Sequence, residues 1–279
     1  MASAHRLSDQ RHGSPGAARG LALAAHGSHH AAEVNETVQA IATAVHETAR
    51  TEDTAFNEVV ACFHQGTPAF SEVLDRMLAD TITVVPLMTS EGYFAREVLP
   101  AALRCNRRFD EVRVKITPVL GAHEAIPNML ADRVRTLCGE HRIPPRAVSV
   151  VVVGHGTRRN AQSRNQTIQT AQAVAELGPW AQTVHAFIDD DPAAATALGR
   201  CGSGAVVVVP FLISAGPHAR HLPHQLGLDA PRRVVLPFTC HRSEGTVIVD
   251  EPLLRHPALP ELVGELARTT ANHLPAGSK

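Results

Sequence analysis

The sequence is poor in aromatic residues and carries almost no net charge. Aromatic side chains make up 4% of its 279 residues, with a single tryptophan and a single tyrosine, and the formal net charge is −1. Surfaces that bind nucleic acid usually combine a basic patch with stacking aromatic rings, and an anionic membrane also attracts positive charge. These absences therefore argue against nucleic acid and against a membrane surface as partners.

Long hydrophobic runs and closely spaced cysteines are also missing. No segment approaches the roughly 20 apolar residues that a membrane-spanning helix needs. The five cysteines form no CxxC pair, which disfavours a thiolate zinc site or an iron–sulfur cluster and fits reduced thiols in the cytoplasm. Residues 1–19 lack an apolar core segment, so we expect them to form a disordered tail and not a signal peptide.

Histidine, by contrast, is abundant, with 17 residues. It is the commonest metal ligand and the side chain that titrates most readily near neutral pH. Hydrophobic residues make up 44% of the chain and charged residues 19%, values typical of a globular protein. The length is sufficient for two domains that each bury a core.

Apolar strand-like runs alternate with helix-like segments along the whole chain. The predicted strands are 21–25, 57–63, 81–86, 111–117, 149–153, 183–188, 205–210 and 233–237. The predicted helices between them are roughly 32–50, 69–79, 93–105, 123–138, 161–177, 192–200, 217–226 and 259–273. This alternation predicts an α/β protein with parallel sheets covered by helices on both faces.

The second half of the chain repeats the first in the same order. The segment "AAHGS" matches "VGHGT", "VNETVQAI" matches "RNQTIQTA", and "VVPLMTSEGYFAR" matches "VVPFLISAGPHAR". Such matches at nearly constant spacing indicate a duplicated domain. We expect an N-terminal domain at 20–141 and a C-terminal domain at 146–275, each with a mainly parallel four-stranded sheet, and a cleft between them.

A histidine between two glycines follows the first predicted strand of each half. His26 and His155 hold these positions. In an open parallel sheet, ligands bind beyond the carboxyl ends of the strands, and glycines let the backbone turn there and approach a ligand. A tight turn that merely tolerates histidine is the alternative, but two such histidines in register weigh against it.

Further polar side chains follow the next strands of the second half. Three consecutive aspartates begin at Asp189, and His218 follows the third strand. With His155, they would gather two imidazoles and a carboxylate at one edge of the sheet, a set that suits cobalt, iron, nickel or zinc.

The first half departs from this pattern. It offers His26, then His64 where an acid is expected, then Phe94 where the second half has His218. Because phenylalanine cannot ligate a metal, we expect the first half to have lost part of the ligand set, and its segment "SEGYFAREVLP" to form a wall of the cleft.

With these motifs the sequence resembles the class II tetrapyrrole chelatases, which insert cobalt or iron into sirohydrochlorin. The resemblance extends from about Leu21 to His273, through a strand–HG[ST] motif and a strand–P-x-x-x-x-x-G-x-H motif. It implies that His155 and His218 contact the metal and act in catalysis, with Asp189 as the accompanying acid. His26 is a further candidate metal ligand. The metal would be a substrate, with no permanently bound cofactor.

The resemblance also implies contacts with a polyanionic ring. Sirohydrochlorin carries carboxylate arms, which arginines and helix N-termini can receive. The candidate residues for these contacts are Arg96, Arg220, Ser28, Thr157 and Asn160, with Arg158, Arg159 and Arg164 as further arginines. Arg96 and Arg220 each follow the cleft motif of one half, whereas Asn160 can cap a helix or bind the ring, and capping is the favoured role of the two. His123 and His256, in segments that resemble the closing parts of the family's domains, are expected to be structural.

Three other functions are compatible with parts of the pattern. A non-catalytic metal carrier on the same histidines would bind metal without inserting it. A histidine phosphatase is suggested only by "RHG" at Arg11-His12-Gly13, which no apolar strand precedes. A two-lobed periplasmic binding protein is disfavoured by the histidine loops and by the expected absence of a signal peptide. We expect a monomer or a weak homodimer.

Overall fold

The molecule consists of two α/β halves, seen in a computed structural model that describes residues 18–49, 56–157 and 161–272. The first half contains β1 (Arg19–Gly27), α1 (Ala32–Ala49), β2 (Glu58–Gln65), β3 (Thr81–Leu87), α2 (Leu99–Arg104), β4 (Arg113–Ile116) and α3 (Ala125–Glu140). The second contains β5 (Val148–Gly154), α4 (Ala161–Glu176), β6 (Gln182–Phe187), α5 (Ala194–Arg200), β7 (Ala205–Phe211), α6 (Pro217–Gln225), β8 (Phe238–Arg242), β9 (Gly245–Val249) and α7 (Leu259–Asn272). Most of the predicted tail lies outside the described residues, and Arg19 already belongs to β1.

Each half is built on one sheet with the same order of its first three strands. The first sheet has the order β2-β1-β3-β4, and all its strands are parallel. The second has the order β6-β5-β7-β9-β8, and its first four strands are parallel. The central strands β1 and β5 are almost wholly apolar because they are covered on both faces. The predicted fold class is confirmed.

The second sheet nevertheless has five strands instead of the predicted four. The predicted strand 233–237 is not a strand, because Pro231 and Pro237 flank its apolar residues and proline cannot donate a ladder hydrogen bond. The chain instead forms an antiparallel hairpin of β8 and β9, closed between Arg242 and Gly245. Strand β9 takes the place that β4 has in the first sheet.

Two predicted helices of the first half are also altered. In place of 69–79 there is only a short 3-10 helix, Val73–Arg76, because the preceding residues bond back to Phe63: its N–H donates to Pro68 O, and its carbonyl accepts from Phe70 N. The predicted helix 93–105 begins as a π-helical turn, Phe94–Val98, and continues as α2.

The two halves exchange their last helices. Helix α7 of the second half packs against β3 and β4 of the first sheet, and α3 of the first half packs against α4 and β7 of the second. One buried cluster therefore runs through both halves and includes Leu23, Val38, Val150 and Leu266. Each half also has a smaller buried cluster of its own. The halves are therefore joined through a shared core.

None of the helices within the described ranges is long and apolar enough to cross a membrane.

Candidate metal-binding site

The histidine loop of the second half begins where β5 ends, and its two glycines have separate packing roles. A Cβ atom on Gly154 would overlap Thr167 of α4, which packs directly on the strand end. Gly156 has a φ of +68°, and a Cβ there would lie 2.8 Å from the Cβ atoms of Phe187 and Asp190. Only glycine suits this left-handed, crowded position, and it leaves the His155 side chain at the edge of the sheet.

Three predicted side chains meet at this edge. His155 follows β5, Asp189 follows β6, and His218 is the second residue of α6, which follows β7. The three strands are neighbours in the sheet, so their carboxyl ends lie side by side. One ligand atom from each residue lies within 4.8 Å of the others, and among the described residues no other such group of three is found.

The geometry assigns a preferred role to each nitrogen of His155. Its Nδ1 atom lies 2.8 Å from the carbonyl oxygen of Gly156 and 3.5 Å from Oδ2 of Asp189. A proton on Nδ1 is stabilised by these two acceptors, which leaves Nε2 with the lone pair that a metal binds. The ring centroids of His155 and His218 are 4.7 Å apart, with an interplanar angle of 63°.

The surroundings favour a neutral His218. The residue is exposed, but partial desolvation lowers the pKa of its imidazole, the neighbouring charges of His155 and His221 lower it further, and Asp189 acts in the opposite direction. A neutral imidazole is the form that ligates a cation. The site is therefore ready for metal at neutral pH without first losing a proton from His218.

The aspartates beside Asp189 are engaged elsewhere. Arg164 donates to Oδ2 of Asp190 at 2.9 Å and to the carbonyl oxygen of Asp191 at 2.6 Å. Oδ1 of Asp190 accepts a hydrogen bond from Asp191 N at 2.8 Å. Arg164 thus organises the loop, and Asp189 is the member of the run that is aimed at the histidines.

The corresponding loops of the first half do not form such a group. His26 occupies the place of His155, with Nδ1 3.2 Å from the carbonyl oxygen of Gly27. The ring of Phe94 lies 4.7 Å from that of His26, between centroids. Among the described residues, His26 belongs to no group of three metal-ligating side chains.

The expectation that His64 replaces the acid is wrong by one residue. Phe63 pairs with Ala25 and bridges to Ala69, as Phe187 pairs with Gly154 and bridges to Ala193. The equivalent of Asp189 is therefore Gln65, whose amide is a weak metal ligand. His64 instead packs its ring 5.2 Å from His26 and 5.0 Å from Phe94, and burial lowers its pKa.

The predicted substrate-binding residues have different surroundings. Arg220 forms a close ion pair with Glu33 at the start of α1, in the other half. Arg96 lies 4.0 Å from Glu91 within its own loop. Ser28 Oγ accepts hydrogen bonds from the N–H groups of residues 30 and 31, at 3.2 and 3.0 Å, and so stabilises the turn that leads into α1. Thr157 ends the described part of its loop, and Asn160 lies outside the described residues, as do Arg158 and Arg159.

The two histidines expected to be structural occupy matching positions before the exchanged helices. Nδ1 of His123 accepts a hydrogen bond from Ala125 N, and Nδ1 of His256 accepts one from Ala258 N, both at 3.2 Å. Each thus bonds the chain where α3 begins or immediately before α7 begins.

A basic cavity of about 490 Å³, which the sequence motifs did not reveal, lies along α6. Its lining consists of Pro217, Arg220, His221, His224, Arg232, Arg233 and Val234. The sequence signal was the spacing of residues 217, 220, 221 and 224 on one helical face, followed by an arginine pair.

The CbiX family model matches both halves of the chain, at residues 20–137 and 149–270. A curated relative, the probable sirohydrochlorin cobaltochelatase of Halobacterium salinarum, is 28% identical over 220 residues. That match covers 72% of this chain and 73% of the relative.

Solved structures show the same architecture. A multi-domain protein of Deinococcus radiodurans, described as similar to chelatases and as having two additional novel domains, matches with a TM-score of 0.71 and 27% identity. The match covers 90% of this chain but only 55% of that protein. CbiX, described as the terminal enzyme of siroheme biosynthesis in denitrifying bacteria, gives 0.68 at 18% identity, covering 90% of this chain and 99% of CbiX. SirB of Bacillus subtilis with Fe³⁺ gives 0.66 at 17%, covering 91% and 96%. The last two identities establish likeness of fold alone.

Proposed function

Because this chain belongs to the CbiX family, we propose that it inserts a divalent metal, cobalt or iron, into sirohydrochlorin or a related tetrapyrrole, in cobalamin or siroheme biosynthesis. The membership confirms the family resemblance noted in the sequence motifs. The observation that carries the proposed activity is the convergence of His155, Asp189 and His218 within 4.8 Å. The name of the Halobacterium relative supports the same reaction.

The ligand set suits a metal that must arrive and leave. Two imidazoles and a carboxylate bind cobalt, iron and zinc, but they leave coordination positions open. The side chains of His155 and Asp189 are 43% and 50% exposed, so the site is accessible from solvent. A site of this kind can pass its metal to a competing ligand with four pyrrole nitrogens, which a closed thiolate cage would resist.

Insertion exchanges two pyrrole N–H protons for one divalent cation. His155 Nε2 and His218 would hold the cation at the edge of the sheet while the ring nitrogens replace them as ligands. The two protons must then pass to bases near the ring. Asp189 can accept one, and a histidine that has released the metal can accept the other near neutral pH.

The first half would supply a wall for the ring. Phe94, His26 and His64 form an aromatic group with centroids 4.7 to 5.2 Å apart. Tyr93, 58% exposed, adjoins Phe94 with a centroid distance of 5.6 Å. Such rings offer apolar faces against which a conjugated macrocycle can stack.

The test is the rate at which Co²⁺ or Fe²⁺ is inserted into metal-free sirohydrochlorin. Insertion is monitored by the change in the absorption spectrum of the ring. We expect insertion to be faster with the protein than without it. His155→Ala and His218→Ala should each abolish most of this acceleration. His141→Ala, which removes an exposed imidazole from the end of α3, is the matched control and should remain active.

Two outcomes would contradict the proposal. One is a wild-type protein that does not accelerate insertion of either metal; if it still binds Co²⁺ tightly, the non-catalytic carrier becomes the better assignment. The other is full activity in His155→Ala, which would leave the convergence of the three side chains without a role in the reaction.

A further inference from the structure

The cavity along α6 combines permanent positive charge with access from solvent. Three guanidinium groups line it, those of Arg220, Arg232 and Arg233, and these remain protonated at every physiological pH. Arg232 and Arg233 are exposed. Their planar donor forks match the geometry of a carboxylate or phosphate group.

One carboxylate of the chain already pairs with an arginine of this cavity. Glu33 forms the ion pair with Arg220, and its pKa is lowered by the hydrogen bond from Arg220 and by the charges of Arg220 and Arg233. Glu33 comes from α1 of the first half, so the pair crosses from one half to the other. One of the three arginines that line the cavity therefore already binds a carboxylate.

The cavity also adjoins the candidate metal ligands. His218 lies on the same helix as the cavity residues Pro217 and His221, and residues three apart on a helix have Cβ atoms about 5–6 Å apart. A macrocycle centred on a metal at His155 and His218 would extend its rim, where its acidic arms are attached, toward this side of α6.

We propose that the cavity binds carboxylate arms of the tetrapyrrole, and that Glu33 occupies Arg220 until a substrate carboxylate replaces it. This assignment rests on the proposed function and adds a substrate-binding role for Arg232 and Arg233. The exchange is feasible because both partners of the pair are well exposed, Arg220 at 40% and Glu33 at 41%, and exposed ion pairs contribute little stability.

The first experiment compares ring binding with metal binding. Metal-free sirohydrochlorin is titrated into wild type and into Arg232→Gln/Arg233→Gln, and its dissociation constant is measured by the change in ring absorption or fluorescence. Loss of charge-assisted hydrogen bonds should raise this constant about tenfold or more, while Co²⁺ affinity stays unchanged. Arg146→Gln, which removes an exposed guanidinium from the segment between α3 and β5, should bind the ring as wild type does.

The second experiment removes the internal carboxylate. Glu33→Gln keeps the size of the side chain but weakens its hold on Arg220, so sirohydrochlorin should bind more tightly than to wild type. A purely structural Glu33 would instead give a lower melting temperature with no gain in ring affinity, and that result would overturn its assigned role.

The outcomes separate the cavity from the reaction. If wild type binds and metallates sirohydrochlorin but the double variant binds it equally well, the cavity assignment fails while the proposed function stands. If inorganic phosphate binds wild type but not the double variant, and ring binding is the same in both, the cavity is a site for free anions and the proposal is overturned. If wild type neither binds nor metallates the ring, the proposed function itself fails.

Discussion

His155 and His218 hold their ring centroids 4.7 Å apart, and His26 and Phe94, at the equivalent positions of the first half, are separated by the same 4.7 Å. The two halves thus keep one backbone arrangement at the ends of corresponding strands. The chemistry differs because one ring of the second pair has no lone pair to donate. The asymmetry of the molecule lies in its side chains, and it can be tested by changing them.

Metal binding should depend on the second half. We expect His155→Ala/His218→Ala to lower Co²⁺ affinity at least tenfold, because each substitution removes a ligand nitrogen. His26→Ala should leave the affinity close to that of wild type. Isothermal titration calorimetry measures both. If the double variant still binds Co²⁺ and His26→Ala does not, the metal site lies in the first half and this prediction is wrong.

Restoring an imidazole to the first half should create a second site. Phe94→His places a second ligand nitrogen beside His26, and adding Gln65→Glu supplies the missing carboxylate. The Co²⁺ stoichiometry should rise from one toward two per chain. Phe94→Leu with Gln65→Glu is the control, since it disturbs the same packing without adding an imidazole. An unchanged stoichiometry would show that the matching backbone does not suffice to rebuild the site.

Metal affinity should fall at acid pH in a defined direction. The pKa of His218 is lowered from its ordinary value of 6.5, so this imidazole is still neutral at pH values where an ordinary histidine is protonated. Its contribution to Co²⁺ binding is present above its pKa and is lost as the pH falls through it. The midpoint contributed by His218 should therefore lie below about 6.5. Co²⁺ titrations between about pH 5 and 7.5 measure it, and a midpoint above 6.5 would contradict the lowered pKa of His218.

The ligand group could be predicted from sequence because its residues all lie beyond the ends of predicted strands. His155, Asp189 and His218 each follow an apolar run, and parallel neighbouring strands bring their carboxyl ends together. The repeat made the motifs of one half a guide to the other. His64 was expected at the position equivalent to Asp189, which Gln65 holds. The error arose because a strand's end can be estimated from sequence only to within a few residues.

Contacts between the two halves could not be predicted from the sequence. An amphipathic helix such as α7 carries an apolar face, but nothing in that face says which sheet it covers, and α7 covers β3 and β4 of the other half. The ion pair of Glu33 and Arg220 joins residues 187 positions apart, and neither has a motif that names its partner.

A buried ion pair holds one of the exchanged helices in place. Arg133 of α3 donates from Nε to both carboxylate oxygens of Asp250, at 3.0 and 3.1 Å. The Nη2 atom of Arg133 lies 2.9 Å from Oδ1 of Asp250. The Asp250 side chain is only 3% exposed. Burial raises the pKa of its carboxyl, and the bonds and charge from Arg133 oppose that rise.

Removing the arginine should therefore destabilise the fold more than removing both partners. Arg133→Met leaves a buried carboxylate without its cation, and we expect a loss of about 3–5 kcal/mol in the free energy of unfolding at neutral pH. Without Arg133 the pKa of Asp250 rises further, so the loss should shrink as the pH falls and the carboxyl takes up a proton in the folded state. Arg133→Met/Asp250→Leu should recover much of the stability. Urea unfolding of the three proteins at neutral and mildly acid pH measures these differences. A single variant as stable as wild type, or a loss that grows on acidification, would mean that Asp250 is not held ionised by Arg133.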